Sequence, residues 1–338
     1  MVKVLVTGGA GFIGSNFVRH AVAAHPDWQI TTLDKLTYAG RLENLQGVID
    51  HPRHTFIKGD IADPEVASRL VKASEIVVHF AAETHVDRSL LSAGEFIKTD
   101  VFGTFVLLEA AREASHLRRF IQISTDEVYG SVAEGASRES DELRPRNPYS
   151  ASKAAADRLA YSYWATYNVP VVITRASNNY GPYHFPEKVI PLFITNAMDN
   201  IPVPLYGDGL QERDWLHVSD HCRAVDLLIG QGTSGEVYNV GGGNHVRNID
   251  LTERILALTG RTDALIQRVP DRLGHDRRYS LDTSKLAKLG WRPEVPFDAG
   301  LQETVAWYKE NEWWWRPIKE NDPAFRAYYD AQYGPRRG

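Results

Sequence analysis

Val2-Lys3-Val4-Leu5-Val6-Thr7-Gly8-Gly9-Ala10-Gly11-Phe12-Ile13-Gly14 opens the chain, and its reading decides the fold. Val2 to Val6 is a short apolar run of strand type, and Ser15 to Ala24 follows as a helical pattern. Between them Gly9, Gly11 and Gly14 fit G-x-G-x-x-G, while Gly8, Gly11 and Gly14 fit the looser G-x-x-G-x-x-G. Glycines at such a strand-to-helix turn let the backbone bend tightly and approach a pyrophosphate. The helix start then offers unpaired N–H groups and a partial positive charge to that anion. A second strand pattern ends in Asp34, 20 residues past Gly14, where the acceptor for a ribose 2′-hydroxyl belongs. A carboxylate there repels a 2′-phosphate, so NAD is expected over NADP, although the adjacent Lys35 softens that repulsion. Asp60 and Ile61, after the strand-like His54 to Lys58, leave two readings open: a flank for the adenine, or for Asp60 a helix cap ahead of Asp63-Pro64.

Working outward, short β-branched runs alternate with helical patterns. The strand candidates are 2–7, 30–33, 55–58, 76–80, 120–124 and 171–174; the longest helical patterns are 93–114 and 150–167. This alternation predicts an α/β fold, a doubly wound parallel sheet of Rossmann type with a smaller C-terminal substrate-binding lobe. Ligands in such sheets lie beyond the carboxyl ends of the strands. After about residue 180 prolines punctuate short elements, so the expected division is 1–180 for the dinucleotide-binding domain and 181–338 for the second lobe, interleaved with the first. Trp313-Trp314-Trp315 is expected to pack under the tail.

Composition narrows the classes. The 338 residues are 43% hydrophobic with a formal charge of −5, which gives no reason to expect nucleic acid or an anionic membrane surface. The single cysteine, Cys222, excludes an intrachain disulfide and reads as a buried filler. His85, His184 and His275 lack metal-ligand spacing, and no metal is expected. The N-terminus enters a strand directly and no apolar run of about 20 residues occurs, so the cytoplasm is the expected compartment.

The chemistry is concentrated in Ser124-Thr125-Asp126-Glu127-Val128-Tyr129-Gly130 and Tyr149-Ser150-Ala151-Ser152-Lys153. Tyr149 and Lys153, four apart on a helix, share a face. An ammonium beside a phenol favours phenolate, the base needed to take a proton from a sugar alcohol. Lowering an ordinary phenol to about 7 takes roughly 4 kcal/mol. Asp126 and Glu127 would face opposite ways on a strand, so both serve one site only if the chain has already turned. Two close carboxyls resist joint ionisation, which leaves one as acid and the other as base for removing water. Arg213 and Arg272 suit a diphosphate, since a guanidinium can grip its oxygens through two N–H groups.

These motifs, with Asp34-Lys35-Leu36-Thr37-Tyr38-Ala39-Gly40, Ala81-Ala82-Glu83-Thr84-His85-Val86-Asp87, the run from Ser177 to Lys188 and the run from Asp271 to Tyr279, resemble the extended short-chain dehydrogenase/reductases. Within them they resemble the nucleotide-sugar 4,6-dehydratases, over nearly the whole chain. The resemblance implies that Gly8, Gly11, Phe12, Ile13 and Gly14 meet NAD. So do Asp34, Lys35, Leu36, Thr37, Asp60 and Ile61, then Phe80, Ala81, Ala82, Glu83, Thr99 and Asn179. Tyr149 and Lys153 would touch the nicotinamide ribose. The sugar nucleotide would be held by Thr84, Thr125, Glu127, Asn178, Lys188 and Val189, with Pro204, Leu205, Tyr206 and Arg213, and with Asn248, Asp271, Arg272, His275 and Tyr279. The implied reaction oxidises C4 of dTDP-glucose by hydride transfer to NAD, with Tyr149 as base. Glu127 then takes the C5 proton, Asp126 protonates the departing C6 hydroxyl, and the hydride returns to C6. UDP- or GDP-linked sugars, a UDP-sugar 4-epimerase and a non-catalytic nucleotide sensor are the alternatives. A 4-epimerase does not need Asp126-Glu127, and a sensor has no use for Tyr149 and Lys153. The resemblance also implies a homodimer built on the two long helices, for which Phe102, Phe105, Val106 and Leu108 on one and Leu159, Tyr161 and Trp164 on the other supply apolar surface beyond one face.

Overall fold

The computed structural model describes residues 1–333; 334–338, the end of the expected second lobe, lie outside the described residues. Six strands follow in turn: β1 (Val2–Thr7), β2 (Trp28–Asp34), β3 (His54–Lys58), β4 (Ile76–His79), β5 (Arg119–Thr125) and β6 (Val171–Ala176). Each matches a predicted run, β4 ending one residue short of the expected 76–80. With the later β10 (Val237–Val240) they form a 7-stranded sheet in the order β10-β6-β5-β4-β1-β2-β3. Every pairing in it is parallel. The order reverses at β1, so the carboxyl ends of β1 and β4 open a crevice, the place where such sheets take ligands. The fold is α/β, a doubly wound parallel sheet.

Both faces are covered. On one, Phe17, Val18 and Ala21 of the helix Phe12–Ala24 pack with Cys222, Val225 and Leu228 of the helix Val218–Gln231. On the other, Leu107, Ala111, Ala160 and Tyr163 close over Leu5, Val77 and Phe120. β10 comes from the second half of the chain and has four residues, too short for its periodicity to announce a strand. Its register against β6, Val237 to Ile173, places all four in the interior.

Two helices aim the chemistry. Pro148–Tyr167 starts on a capping box: Asn147 Oδ1 accepts from the Ser150 N–H at 2.8 Å, and Ser150 Oγ accepts from the Asn147 N–H at 3.2 Å. Pro148 holds the first helical position, where its missing N–H costs nothing. The predicted helix over 93–114 is instead Ala93–Phe96, a π-helical segment Ile97–Gly103 and Thr104–Arg112. The wider turn carries Asp100 into the interior. Val106 and Leu108 also face the core, whereas Phe102, Phe105 and Tyr161 stay exposed. The apolar surplus is therefore narrower than the sequence suggested. Trp164 packs over Gly235, where a Cβ would come within 2.2 Å of the indole.

The second lobe is built from the short strands β7 (Asn178–Tyr180), β9 (Glu212–His217) and β11 (His245–Arg247), and the parallel pair β8 (Val203–Tyr206) and β12 (Ile266–Val269). Helices Val189–Met198, Asn248–Leu258 and Phe297–Glu310 share a core with Trp314, Trp315 and Phe325 from the tail. Trp313 is the exposed member of the triplet. Trp314 Nε1 donates to Asn44 Oδ1 at 2.8 Å, and Asn44 Nδ2 donates to the Ala10 carbonyl at 2.7 Å, which ties the tail to the glycine turn. Among the described residues no helix is long and apolar enough to cross a membrane.

Candidate active site

A cleft of about 400 Å³ lies between the strand ends and the second lobe. Its first wall is the glycine turn. Gly8 sits at φ +68°, and a Cβ there would come within 2.5 Å of the Ala81 nitrogen. A Cβ on Gly14 would meet the Gly8 carbonyl oxygen at 2.2 Å. Gly8, Gly11 and Gly14 face the cleft, whereas a Cβ on Gly9 would meet the Thr32 side chain, so the looser spacing is the one that lines the site. Gly11 precedes the helix Phe12–Ala24 without a side-chain cap, leaving its first-turn N–H groups to an anion. A cradle with no room for a Cβ at Gly8 or Gly14, beside an uncapped helix start, fits the diphosphate of a dinucleotide.

Asp34 closes that wall. Its carboxylate accepts from the Ala10 N–H at 2.9 Å and the Leu36 N–H at 2.8 Å, while burial raises its pKa. Leu36 itself turns away: φ is +56° and its side chain joins the core rather than the cleft. Lys35 pairs with Asp60 at 2.7 Å. Asp63, not Asp60, caps the next helix, and Asp60 lines the cleft. Phe12, Ile13, Thr37, Ile61 and Phe80 share this wall, as do Ala81, Ala82, Glu83, Thr99 and Asn179.

At the end of β5 the chain leaves the strand through a 3-10 turn, Asp126–Tyr129, so Asp126 and Glu127 both reach the cleft beside Tyr149. The Thr125 hydroxyl donates to Asp126 Oδ1 at 3.2 Å and accepts from the Glu127 N–H at 3.3 Å. Burial, then Glu127 and Asp214, push the Asp126 carboxyl well up, which favours its protonated, proton-donating form. Asp126 Oδ2 is buried without a partner. Tyr149 departs from expectation. Burial, then Glu127 and Asp100, push its phenol up rather than down. Lys153 Nζ donates to the Ile123 carbonyl at 2.7 Å, and burial lowers its own pKa. Asp100 is held by the Glu83 N–H at 2.8 Å and the Ser152 hydroxyl at 2.7 Å, and burial pushes it to about 7. Its partial protonation weakens the repulsion that Tyr149 feels.

The second lobe supplies the opposite wall. Asn178, Lys188, Val189, Pro204 and Leu205 line it, followed by Tyr206, Arg213, Asn248, Arg272 and His275, and Thr84 joins them from the loop after β4. Lys188 Nζ donates to the Thr84 carbonyl at 2.6 Å. Asp271 and Tyr279 stand one layer back. Asp271 accepts from His275 Nδ1 at 2.6 Å, and the Tyr279 hydroxyl lies 2.7 Å from Asp276 and 3.5 Å from Glu127 Oε2.

This arrangement can be set against known proteins. The family model described as GDP-mannose 4,6 dehydratase matches residues 5–304. A dTDP-glucose 4,6-dehydratase of Streptomyces niveus is 51% identical over 335 residues, covering 98% of this chain and 99% of that one. The chain belongs to the dTDP-glucose 4,6-dehydratase family. The crystal structure of DesIV, a dTDP-glucose 4,6-dehydratase of Streptomyces venezuelae with NAD and dTDP bound, superposes with a TM-score of 0.92 at 49% identity, over 94% of this chain and 100% of that one. A Thermus thermophilus UDP-glucose 4-epimerase in complex with NAD shares the fold at 31% identity and a TM-score of 0.84, over 92% of this chain and 100% of that one.

Within this 4,6-dehydratase chain several cleft residues lie in recognisable motifs without a role having been assigned to them from sequence. Asp87 and His184 are two. His184 stacks on Phe12 at 4.2 Å, and its Nδ1 is buried without a partner. The histidine lies in a quoted motif, but only the fold brings it onto the glycine turn.

Proposed function

We propose that this chain dehydrates dTDP-glucose to dTDP-4-keto-6-deoxyglucose with NAD as a resident cofactor. The observation that carries the reading is the pair Asp126 and Glu127 sharing one cleft with Tyr149, because a 4-epimerase has no use for the pair. When bound, NAD supplies the two-electron acceptor for C4, returns the same electrons to C6, and adds the positive ring that favours phenolate. Tyr149 takes the C4 hydroxyl proton, with the Thr125 hydroxyl stabilising the phenolate. The ketone acidifies C5, and Glu127 removes that proton. Asp126 gives its proton to the C6 hydroxyl, which leaves as water. Glu127 then returns a proton to C5 as C6 is reduced, Tyr149 gives up the proton it took and Asp126 regains one by exchange with solvent, so the net change is the loss of one water. Arg213 and Arg272 grip the diphosphate, while Asn178, Lys188 and His275 orient the nucleotide and sugar. Incubation with dTDP-, UDP- and GDP-glucose should give a 4-keto-6-deoxy product, with kcat/KM at least about tenfold higher for the dTDP sugar, about 1.4 kcal/mol of discrimination. No product from dTDP-glucose would refute the assignment.

We also infer a homodimer. Leu91, Ile97, Phe102, Phe105 and Tyr161 lie exposed on the helices around the π-helical segment and on Pro148–Tyr167. Apolar residues outside the core-facing stripe need a second partner, and a two-fold axis is the usual solution for identical chains. Light scattering should report about twice the chain mass.

A further inference from the structure

Asp87 is a nearly fully buried carboxylate on the cleft wall that the dehydration chemistry does not use. Three separate parts of the chain converge on it. Arg272 Nη1 donates to Asp87 Oδ1 at 3.3 Å. The hydroxyls of Tyr206, from β8, and Tyr328, from the helix Pro323–Tyr333, donate to Oδ2 at 3.1 and 3.2 Å. Arg272 Nε is meanwhile buried with no partner, so one edge of the guanidinium is fixed and a donor is left over for a ligand.

A buried carboxylate that accepts from two phenols and an arginine has most of its roughly four acceptor sites filled by the protein. Its effect is orientation: a guanidinium on a flexible stem must lose its rotamer freedom before it can present two N–H groups to phosphate oxygens. Anchoring it beforehand removes part of that cost from the binding step. The anchor is itself held by Tyr328, and the same C-terminal helix also reaches the site through Gln332, whose Nε2 donates to the Tyr206 hydroxyl at 2.5 Å, and through Tyr333 on the cleft wall.

We propose that Asp87 is a positioning residue that presets Arg272 for the substrate diphosphate, and that the C-terminal helix supports it through Tyr328. The proposal rests on the reading of Arg272 as a diphosphate ligand. The test is titration calorimetry of the NAD-loaded full chain with dTDP, paired with steady-state kinetics on dTDP-glucose. Asp87→Asn should weaken dTDP about tenfold and raise KM by the same factor, with the loss falling on KM rather than kcat. Tyr328→Phe should weaken dTDP about threefold in the same direction, and because it keeps the buried ring it serves if Asp87→Asn fails to fold. Arg272→Ala should weaken dTDP more than either. Native-like dTDP affinity in Tyr328→Phe and in folded Asp87→Asn, with Arg272→Ala impaired, would overturn the positioning role alone. Unchanged affinity in Arg272→Ala would overturn the diphosphate reading and the proposal with it.

Discussion

The cofactor wall and the substrate wall of the same cleft are built on different physics. The first is mostly backbone: a left-handed Gly8, a Gly14 with no room for a methyl, and Asp34 held by two main-chain N–H groups. The second is mostly side chain, with Lys188, Arg213 and the loop carrying Arg272 and His275 brought in from three different segments. A backbone site is written in a dozen consecutive residues. A side-chain site exists only once distant segments have met. Substitutions on the first wall should therefore damage folding and cofactor retention together, and those on the second should mainly damage binding or rate.

The sharpest attempt to break that contrast uses one glycine from the first wall and one from the loop that carries Arg272 and His275. Gly8→Ala combines a positive φ with a Cβ 2.5 Å from backbone that cannot yield. Gly274 has a similar φ of +64°, but its Cβ would be 3.2 Å from the Arg146 carbonyl oxygen. Strain alone costs about 1–3 kcal/mol, and the backbone collision adds to it only at Gly8. Gly8→Ala is expected to abolish NAD retention and cost several kcal/mol in urea unfolding, with Gly274→Ala near about 1 kcal/mol. Equal losses would erase the distinction.

Next in size is the acid. Asp126→Asn should slow 4-keto-6-deoxy product formation about 10²- to 10³-fold, the usual worth of a placed general acid, with little change in unfolding midpoint. The native rate should fall as pH rises through the elevated Asp126 pKa, because the donor is lost there. That alkaline limb should be missing from the variant's profile. A variant with full activity would remove Asp126 from the mechanism.

How much of this was legible beforehand follows the same division. The six strands, the glycine turn and Asp34 were readable because each depends on neighbours within about 20 residues. The turn at Asp126–Tyr129 was readable from the requirement that two adjacent carboxyls share a site. Three features were not. β10 is too short to show a period. The π-helical segment differs from an α-helix by one hydrogen-bond register, which leaves no mark on composition. The elevated Tyr149 phenol depends on Glu127 and Asp100, which only the tertiary fold sets around it. Leu36, Asp271 and Tyr279 were placed correctly in their motifs but stand behind the wall, because a motif fixes proximity and not the direction of a side chain.

Asp100 offers a smaller effect of definite sign. Its carboxyl is raised to about 7 by burial, so the folded state holds a proton that the unfolded chain releases near pH 4. Folded protein then binds more protons, and stability falls as pH rises from about 4 to about 7. Asp100→Asn keeps an acceptor for the Glu83 N–H and can donate to Ser152 instead. It should therefore be more stable than the native chain at pH 8, by about 1–3 kcal/mol, and indistinguishable at pH 4. Denaturant titrations at the two pH values decide it, and an equal difference at both would exclude ionisation as the cause.

The smallest expected effect lies at the edge of the backbone-built wall, in the one ion pair there. Lys35 and Asp60 are 2.7 Å apart, with side chains 48% and 29% exposed. Burial pushes the Asp60 carboxyl up, but Lys35, the Ala62 N–H and Lys98 together outweigh it and leave the group below its ordinary value. A depressed carboxyl adds stability above its unfolded pKa and loses it as pH falls through the folded one. Exposed pairs are worth about 0–1 kcal/mol and weaken with salt. Lys35→Ala should thus shift the urea midpoint by less than about 1 kcal/mol at pH 7, and by nothing measurable in 1 M salt or at pH 3. Its effect on cofactor choice should run the other way. Lys35 is the cation that softens the repulsion between Asp34 and a 2′-phosphate, so its removal should strengthen the preference for NAD over NADP. If Lys35→Ala takes up NADP more readily than the native chain, then Asp34 held by Ala10 and Leu36 is not what excludes the phosphate, and the backbone-built wall does not set cofactor choice.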